Sequence, residues 1–258
     1  MLKPYILTLA LAVTLAGFAR GSGKVFQYST IDALLDRVYD GNITVGELKD
    51  KGGFGLGTYN GMNGEMIAMD GVFYRISADG TVAEVSDEEE SPFSTVCHFD
   101  KDSAQNMTMS ASSYDDFKEA MDAKLESLNI FYAIRIEGTF NMVKARSVEK
   151  QNQPYPPVSE IVEHQSIFNL ENVSGTMIGF RCPGYVKGIN VPGYHFHFLT
   201  NDRKQGGHIL GFSTDQAKVS VMKLSKFEMK LPMSKAFLKA DFTVDRTSLV
   251  HKVEHDTD

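Results

Sequence analysis

Residues 190–208 read NVPGYHFHFLTNDRKQGGH, and this stretch decides what kind of fold the chain adopts. From Tyr194 to Thr200, aromatic residues alternate with histidines. A period of two is the mark of a strand with two unlike faces, because residues i and i+2 point the same way. His195 and His197 therefore share one face, while Tyr194, Phe196 and Phe198 cover the other. The polar run Asn201–Gly207 breaks the pattern and folds the chain back, so a second strand begins near His208. Near-opposite pairing of His197 and His208 puts all three imidazoles on one face.

The same short-strand pattern continues on both sides. Downstream come GGHILGFST (206–214), AKVSVMKL (217–224) and FEMKLP (227–232); upstream lie VSGTMIGFRC (173–182) and the long FYAIRIEGTFNMVKARSV (131–148), which Gly138 is expected to interrupt. Residues 52–86 contain short apolar runs punctuated by Asn-Gly and Asp-Gly, including Asp79-Gly80, and read as hairpins. Helical spacing is confined to three places: Ile31–Val38 behind a Ser29 or Thr30 cap, Thr44–Leu48, and Ser113–Asn129 with Phe117, Met121, Leu125 and Leu128 on one stripe. Many short strands with few helices predict an α+β fold of mostly antiparallel or mixed strands. The prolines of Gln153-Pro154-Tyr155-Pro156-Pro157 mark the internal boundary, giving two sheet-containing subdomains, 24–150 and 151–258.

Residues 1–23, MLKPYILTLALAVTLAGFARGSG, stand apart. Lys3 precedes an apolar run, Tyr5–Phe18, and Gly17-Phe18-Ala19 offers a small-x-small cleavage site, the pattern of a signal peptide. The expectation is an exported protein with no membrane association after cleavage, or a cytoplasmic one if the segment is kept. The 258 residues carry 26 Lys+Arg against 33 Asp+Glu, a net of -7, so no basic surface exists to neutralise nucleic-acid phosphates. Cys97 and Cys182 are too few for a disulfide framework and lack metal spacing; whether they pair is open. The glycines from Gly52 to Gly57 fail the spacing of a phosphate loop and read as turns and close backbone packing.

Three neutral imidazoles converging from a hairpin suit a divalent transition metal, and three protein ligands leave positions open for water or substrate. His98, His164, His251 and His255 have no such neighbours in sequence and read as ordinary solvated or structural residues. Arg146 lies on a strand whose Val143 and Ala145 face away from it; a guanidinium turned inward there needs an anionic ligand or a carboxylate partner, the ordinary alternative being a salt bridge. Glu65, between turn glycines and an apolar strand, is open to three readings: metal ligand, proton donor or surface group. The residues by themselves favour the last.

Taken together, NVPGYHFHFLTNDRKQGGH, GTFNMVKARSVEKQNQPYPP and LGTYNGMNGEMIAMDGVFYRI resemble acetolactate decarboxylases in order and spacing, from about Val25 to Glu254. The resemblance implies decarboxylation of 2-acetolactate to acetoin and carbon dioxide through a metal-stabilised enediolate. It implies zinc held by His195, His197 and His208, with Glu65, Arg146 and Glu254 as catalytic groups. Thr58, together with Arg146, would contact the substrate, and the molecule would be a homodimer. Of the two glutamates, Glu65 is the preferred proton donor, with Glu254 assisting or approaching the metal. Two rivals are weighed against this. A cupin-like metalloenzyme expects a glutamate where Asn201 stands, and an exported zinc-binding protein expects a His-rich tract that the chain lacks.

Overall fold

The computed structural model describes residues 23–254, so the signal-peptide reading and His255 lie outside the described residues. The first half runs β1 (Lys24–Tyr28), α1 (Ile31–Leu35), β2 (Ile43–Thr44), α2 (Val45–Lys51), β3 (Phe54–Thr58), β4 (Glu65–Met69), β5 (Val72–Ile76) and β6 (Val82–Glu84). It continues through β7 (Glu90–Ser91), β8 (Phe93–Cys97), β9 (Gln105–Ala111) and α3 (Tyr114–Asp122). The second half comprises β10 (Phe131–Ser147), α4 (Val158–Glu163), β11 (Ser166–Cys182), β12 (Gly193–Thr200), β13 (Gly206–Leu224), β14 (Lys226–Lys230), α5 (Lys235–Lys239) and α6 (Thr247–Glu254). This is the expected α+β class.

One sheet has seven strands in the order β14-β1-β8-β3-β4-β5-β6, antiparallel except for the β1–β14 pair. A second has the order β10-β11-β12-β13-β9, and β10 also pairs with β13, so four of its strands close into a ring, while β2 and β7 form a small two-stranded sheet. Strands from both sides of residue 150 enter each of the two larger sheets: β14 joins the first, and β9 and β10 join the second. The ring's interior is filled by the face opposite the histidines, Tyr194, Phe196 and Phe198 with Phe140, Val143, Ala145 and Phe212. Helix α3 adds Tyr114, Phe117 and Met121 to that core. A second core, with Leu56, Ile67, Ile76, Ile178 and Phe180, lies between the sheets.

Four local expectations are corrected. Helix α1 stops at Leu35 rather than Val38: Arg37 adopts φ 68, and Val38 N and Arg37 N donate to Ala33 O and Leu34 O, a Schellman ending. Helix α3 keeps its Ser113 cap but ends at Asp122. The Tyr132 hydroxyl accepts from Ser127 N and donates to Ser127 O, turning the chain out of the helix and leaving Leu128 42% exposed. Gly138 does not interrupt β10, which runs unbroken because a side chain there would crowd Gln216 O and Ala217 at 3.1–3.2 Å. The C-terminal residues, outside the three places of expected helical spacing, form α6, whose Val250 and Val253 pack with α1 and α4. Both cysteines are buried and unbridged.

The glycines of β11 let strands press together behind the histidines. A Cβ on Gly179 would stand 2.0 Å from His195 O and 2.5 Å from Phe196 Cδ1. Gly179→Ala is therefore expected to lower stability by at least about 1–3 kcal/mol, the cost of overpacking a closed site. Urea denaturation of the folded variant checks this; an unchanged midpoint would show that β12 can move away freely.

Candidate active site

Pairing of β12 with β13 is short, only His197↔His208, Phe198↔Gly207 and Leu199↔Gly206, because β13 then turns to β10. That splayed hairpin brings the three histidines together, in the near-opposite register that puts the imidazoles on one face and that the sequence alone leaves open. His195 Nε2 lies 3.2 Å from His197 Nε2 and 3.0 Å from His208 Nδ1, and the last two nitrogens are 3.4 Å apart. Among the described residues these three form the group placed to hold a metal ion. Ligand nitrogens at about 2.0–2.1 Å from a tetrahedral zinc would stand about 3.3–3.4 Å from each other. The observed triangle has those edges to within a few tenths of an ångström.

The tautomers also fit. His197 Nδ1–H donates to Met66 O at 2.7 Å, and His208 Nε2–H donates to Glu254 O at 3.1 Å. Each bond uses the proton-bearing nitrogen and leaves the other, bare, facing the triangle, as outer-shell partners of metal-binding histidines do. Burial, foremost, and the neighbouring imidazoles and Arg146 hold His197 and His208 well below the usual histidine range, so both are neutral. For these two ligands a cation need not displace a proton at neutral pH.

Two carboxylates flank the triangle. Glu254 Oε2 lies 3.4 Å from His195 Nε2 and 3.9 Å from His208 Nδ1. Glu65 Oε2 lies 3.5 Å from His197 Nε2, and Glu65 Oε1 is 4.0 Å from Arg146 Nη1. All of these side chains are buried, which corrects the surface reading of Glu65. That reading failed because β4 is covered by the other sheet, a contact between segments far apart in sequence. Burial pushes the Glu65 carboxyl up to about 7, against the pull of Arg146 and with the help of Glu254's charge. Arg146 pairs with His208 on β13, so its guanidinium shares the histidine face, and its Nε has no hydrogen-bond partner among the described residues. A buried guanidinium only loosely paired with Glu65 is poised for another anion.

Thr58 is buried one strand away, opposite Glu65, and its hydroxyl donates to Gly64 O at 2.7 Å, bracing the turn that presents Glu65. His98, His164 and His251 are exposed and outside the triangle, and Asn201 is an exposed residue of the hairpin turn. Sequence reasoning missed the Met66 and Glu254 carbonyls that orient two of the histidines. Backbone acceptors have no residue signature; only the strand pairing reveals them.

Against known proteins, the family model described as alpha-acetolactate decarboxylase matches residues 25–244. The alpha-acetolactate decarboxylase of Methanosarcina mazei is 45% identical over 233 residues, covering 90% of this chain and 81% of that protein. That of Brevibacillus brevis is 40% identical over 230 residues, covering 89% and 80%. The crystal structure of alpha-acetolactate decarboxylase from Bacillus subtilis strain 168 superposes with a TM-score of 0.87 at 37% identity, covering 90% of this chain and 100% of that one.

Proposed function

The chain belongs to the alpha-acetolactate decarboxylase family, carboxy-lyases acting on acetolactate, and we propose that it works with zinc held by His195, His197 and His208, Arg146 binding the substrate anion and Glu65 donating the proton. The observation that carries this reading is the buried triangle of three imidazole nitrogens, flanked by one guanidinium and two carboxylates.

Acetolactate is a 3-oxo acid with a hydroxyl on the neighbouring carbon. Breaking the bond to its carboxylate releases carbon dioxide and leaves the electron pair as an enediolate. The zinc would supply a Lewis acid for the oxygen that gains this charge. Arg146, buried and with donors to spare, holds the departing carboxylate and offsets charge on the enediolate. Glu65, whose carboxyl burial pushes up to about 7 in the metal-free fold, delivers its proton, in its protonated form, to one face of the carbon that lost carbon dioxide. The product is acetoin, and the proton consumed is restored to Glu65 from solvent. Thr58 keeps the Glu65 turn in place and borders the substrate. Glu254, beside His195 and His208, completes the anionic wall around the metal.

The test is acetoin formation from racemic acetolactate before chelation, after it, and after zinc is restored. Activity lost and regained supports the assignment; full activity in protein shown by elemental analysis to be metal-free overturns it. Arg146→Lys is expected to lower kcat/KM by about tenfold to a hundredfold (about 1.4–2.7 kcal/mol), because a point ammonium cannot reproduce the planar fork. The same assay checks it, with an unchanged rate removing Arg146 from the site. The reading extends to export, from the apolar N-terminal residues, and to a homodimer, from the family resemblance. N-terminal sequencing of protein recovered from the culture medium and light scattering test these two points.

A further inference from the structure

The Glu65 carboxyl sits 3.5 Å from the neutral His197 and 4.0 Å from the Arg146 guanidinium, beyond a well-formed hydrogen bond. Its place is therefore set through its backbone. Three hydrogen bonds reach that backbone or its ladder partner. Thr58 Oγ1 donates to the carbonyl of Gly64, immediately before Glu65. His197 Nδ1 donates to the carbonyl of Met66, immediately after it. Ser147 Oγ donates at 2.8 Å to the carbonyl of Ile76, the residue facing Glu65 across the β4–β5 ladder.

The second and third bonds both cross between the sheets, but the third starts from the strand that carries Arg146. Ser147 is fully buried and follows Arg146 directly in β10, a strand of the five-stranded sheet, whereas Ile76 belongs to the seven-stranded sheet. The bond thus ties the backbone that carries the guanidinium to the hairpin that carries the carboxylate. We propose that Ser147 is a positioning residue for the decarboxylation: its hydroxyl, anchored on the Ile76 carbonyl, sets the spacing of Arg146 and Glu65 across the junction of the two sheets. This rests on the roles given above to those two residues. Its neighbourhood leaves little slack. Gly206 packs where a Cβ would meet Ile76 Cγ1 at 3.2 Å, and a Cβ on Gly64 would stand 2.3 Å from Ile76 O. Without the hydroxyl, the His197–Met66 bond still joins β12 to the hairpin, but β10 itself loses the side-chain bond that registers it against β5. Because a misplacement of about 1 Å between reacting groups costs on the order of 10²-fold in rate, a small slip suffices.

The test compares wild type, Ser147→Ala and Ser147→Cys, the last near in shape but a poor donor. Zinc content, melting temperature, kcat, KM and the enantiomeric composition of the acetoin are measured, with the uncatalysed background subtracted. The expected result is a kcat at least tenfold lower in both variants at unchanged zinc content. Acetoin of lower enantiomeric purity should accompany it, because the proton is no longer delivered from a fixed position. A purely structural role would lower the melting temperature and leave kcat and enantiomeric purity of the folded enzyme as they were, overturning the proposal. Loss of zinc in step with loss of activity would overturn it too. Should Ser147→Ala not fold, the Ser147→Cys enzyme decides by the same criteria; if neither folds, Ser147 is a folding residue and the proposal falls. An inactive wild type, or Arg146→Lys at full rate, would instead count against the underlying assignment.

Discussion

Replacing His197 with alanine is expected to remove metal and activity together. His197 is 1% exposed, held by Met66 O at 2.7 Å, and contributes one corner of the nitrogen triangle. If zinc binding of about 10–16 kcal/mol is spread over four ligands, each is worth roughly 3–4 kcal/mol, or on the order of 10²–10³ in affinity. With free zinc buffered by a chelator between the two affinities, the variant should therefore hold little metal and make acetoin only at the uncatalysed rate. Elemental analysis and the acetoin assay check the two losses on one sample. A third readout separates a missing ligand from a damaged fold. A ligand that binds only the folded state raises its stability by mass action, so added zinc should raise the melting temperature of stripped wild type and leave that of the folded variant unmoved. A variant that is fully active, or that shifts with zinc as wild type does, would remove His197 from the site.

How much of this was legible beforehand follows from the range of the interactions involved. The histidine hairpin was readable because its signals are local, period-two alternation from Tyr194 to Thr200 and a polar turn; its register, His197 opposite His208, is set by the pairing of whole strands and was left open. The α+β class was readable for the same reason, as were the short helix at Thr44–Leu48, which the structure has as α2 behind a Thr44 cap, and the Asp79-Gly80 turn between β5 and β6. Burial of Glu65 was not readable, since β4 by itself looks like a strand with a polar end, and what covers it comes from β10, β12 and α6. Helix α6 was missed although a signal was present: Asp245 Oδ1 accepts from Thr247 N at 2.9 Å, and Val250 and Val253 have helical spacing. With so few turns, the helix depends on its packing against α1 and α4, and packing across distant segments leaves little trace in sequence. The family resemblance nominated Glu254 where the local pattern did not.

Glu65→Gln should separate binding the metal from doing the chemistry. The substitution keeps the shape of the side chain and one neutral acceptor, and it leaves all three imidazoles in place, so zinc content should stay near that of wild type. What it removes is the acidic proton, a contribution of about 10²–10⁴-fold in general acid catalysis, so kcat should fall by that amount. Glu254→Gln, assayed in parallel, should fall less; the reverse order would give the donor's role to Glu254. The pH dependence gives a second criterion. A donor must be protonated to act, so wild-type kcat should fall as pH rises through the donor's pKa, and this limb should be absent from Glu65→Gln. The limb lies at or below the value of about 7 that Glu65 takes without a cation, because a nearby divalent ion favours the carboxylate. Stability should respond with the opposite preference to an ordinary surface carboxylate. Between the ordinary glutamate value of 4.5 and about 7, the folded metal-free protein holds a proton on Glu65 that the unfolded chain has released, so this residue's contribution to stability declines as pH rises through that window. Glutamine cannot lose a proton there. Stripped Glu65→Gln should accordingly gain stability relative to stripped wild type between pH 5 and pH 8, the histidine contributions being common to both and cancelling in the difference. Urea midpoints that keep the same spacing at both pH values would mean that Glu65 is not held protonated by the fold, and its assignment as proton donor would fall with that.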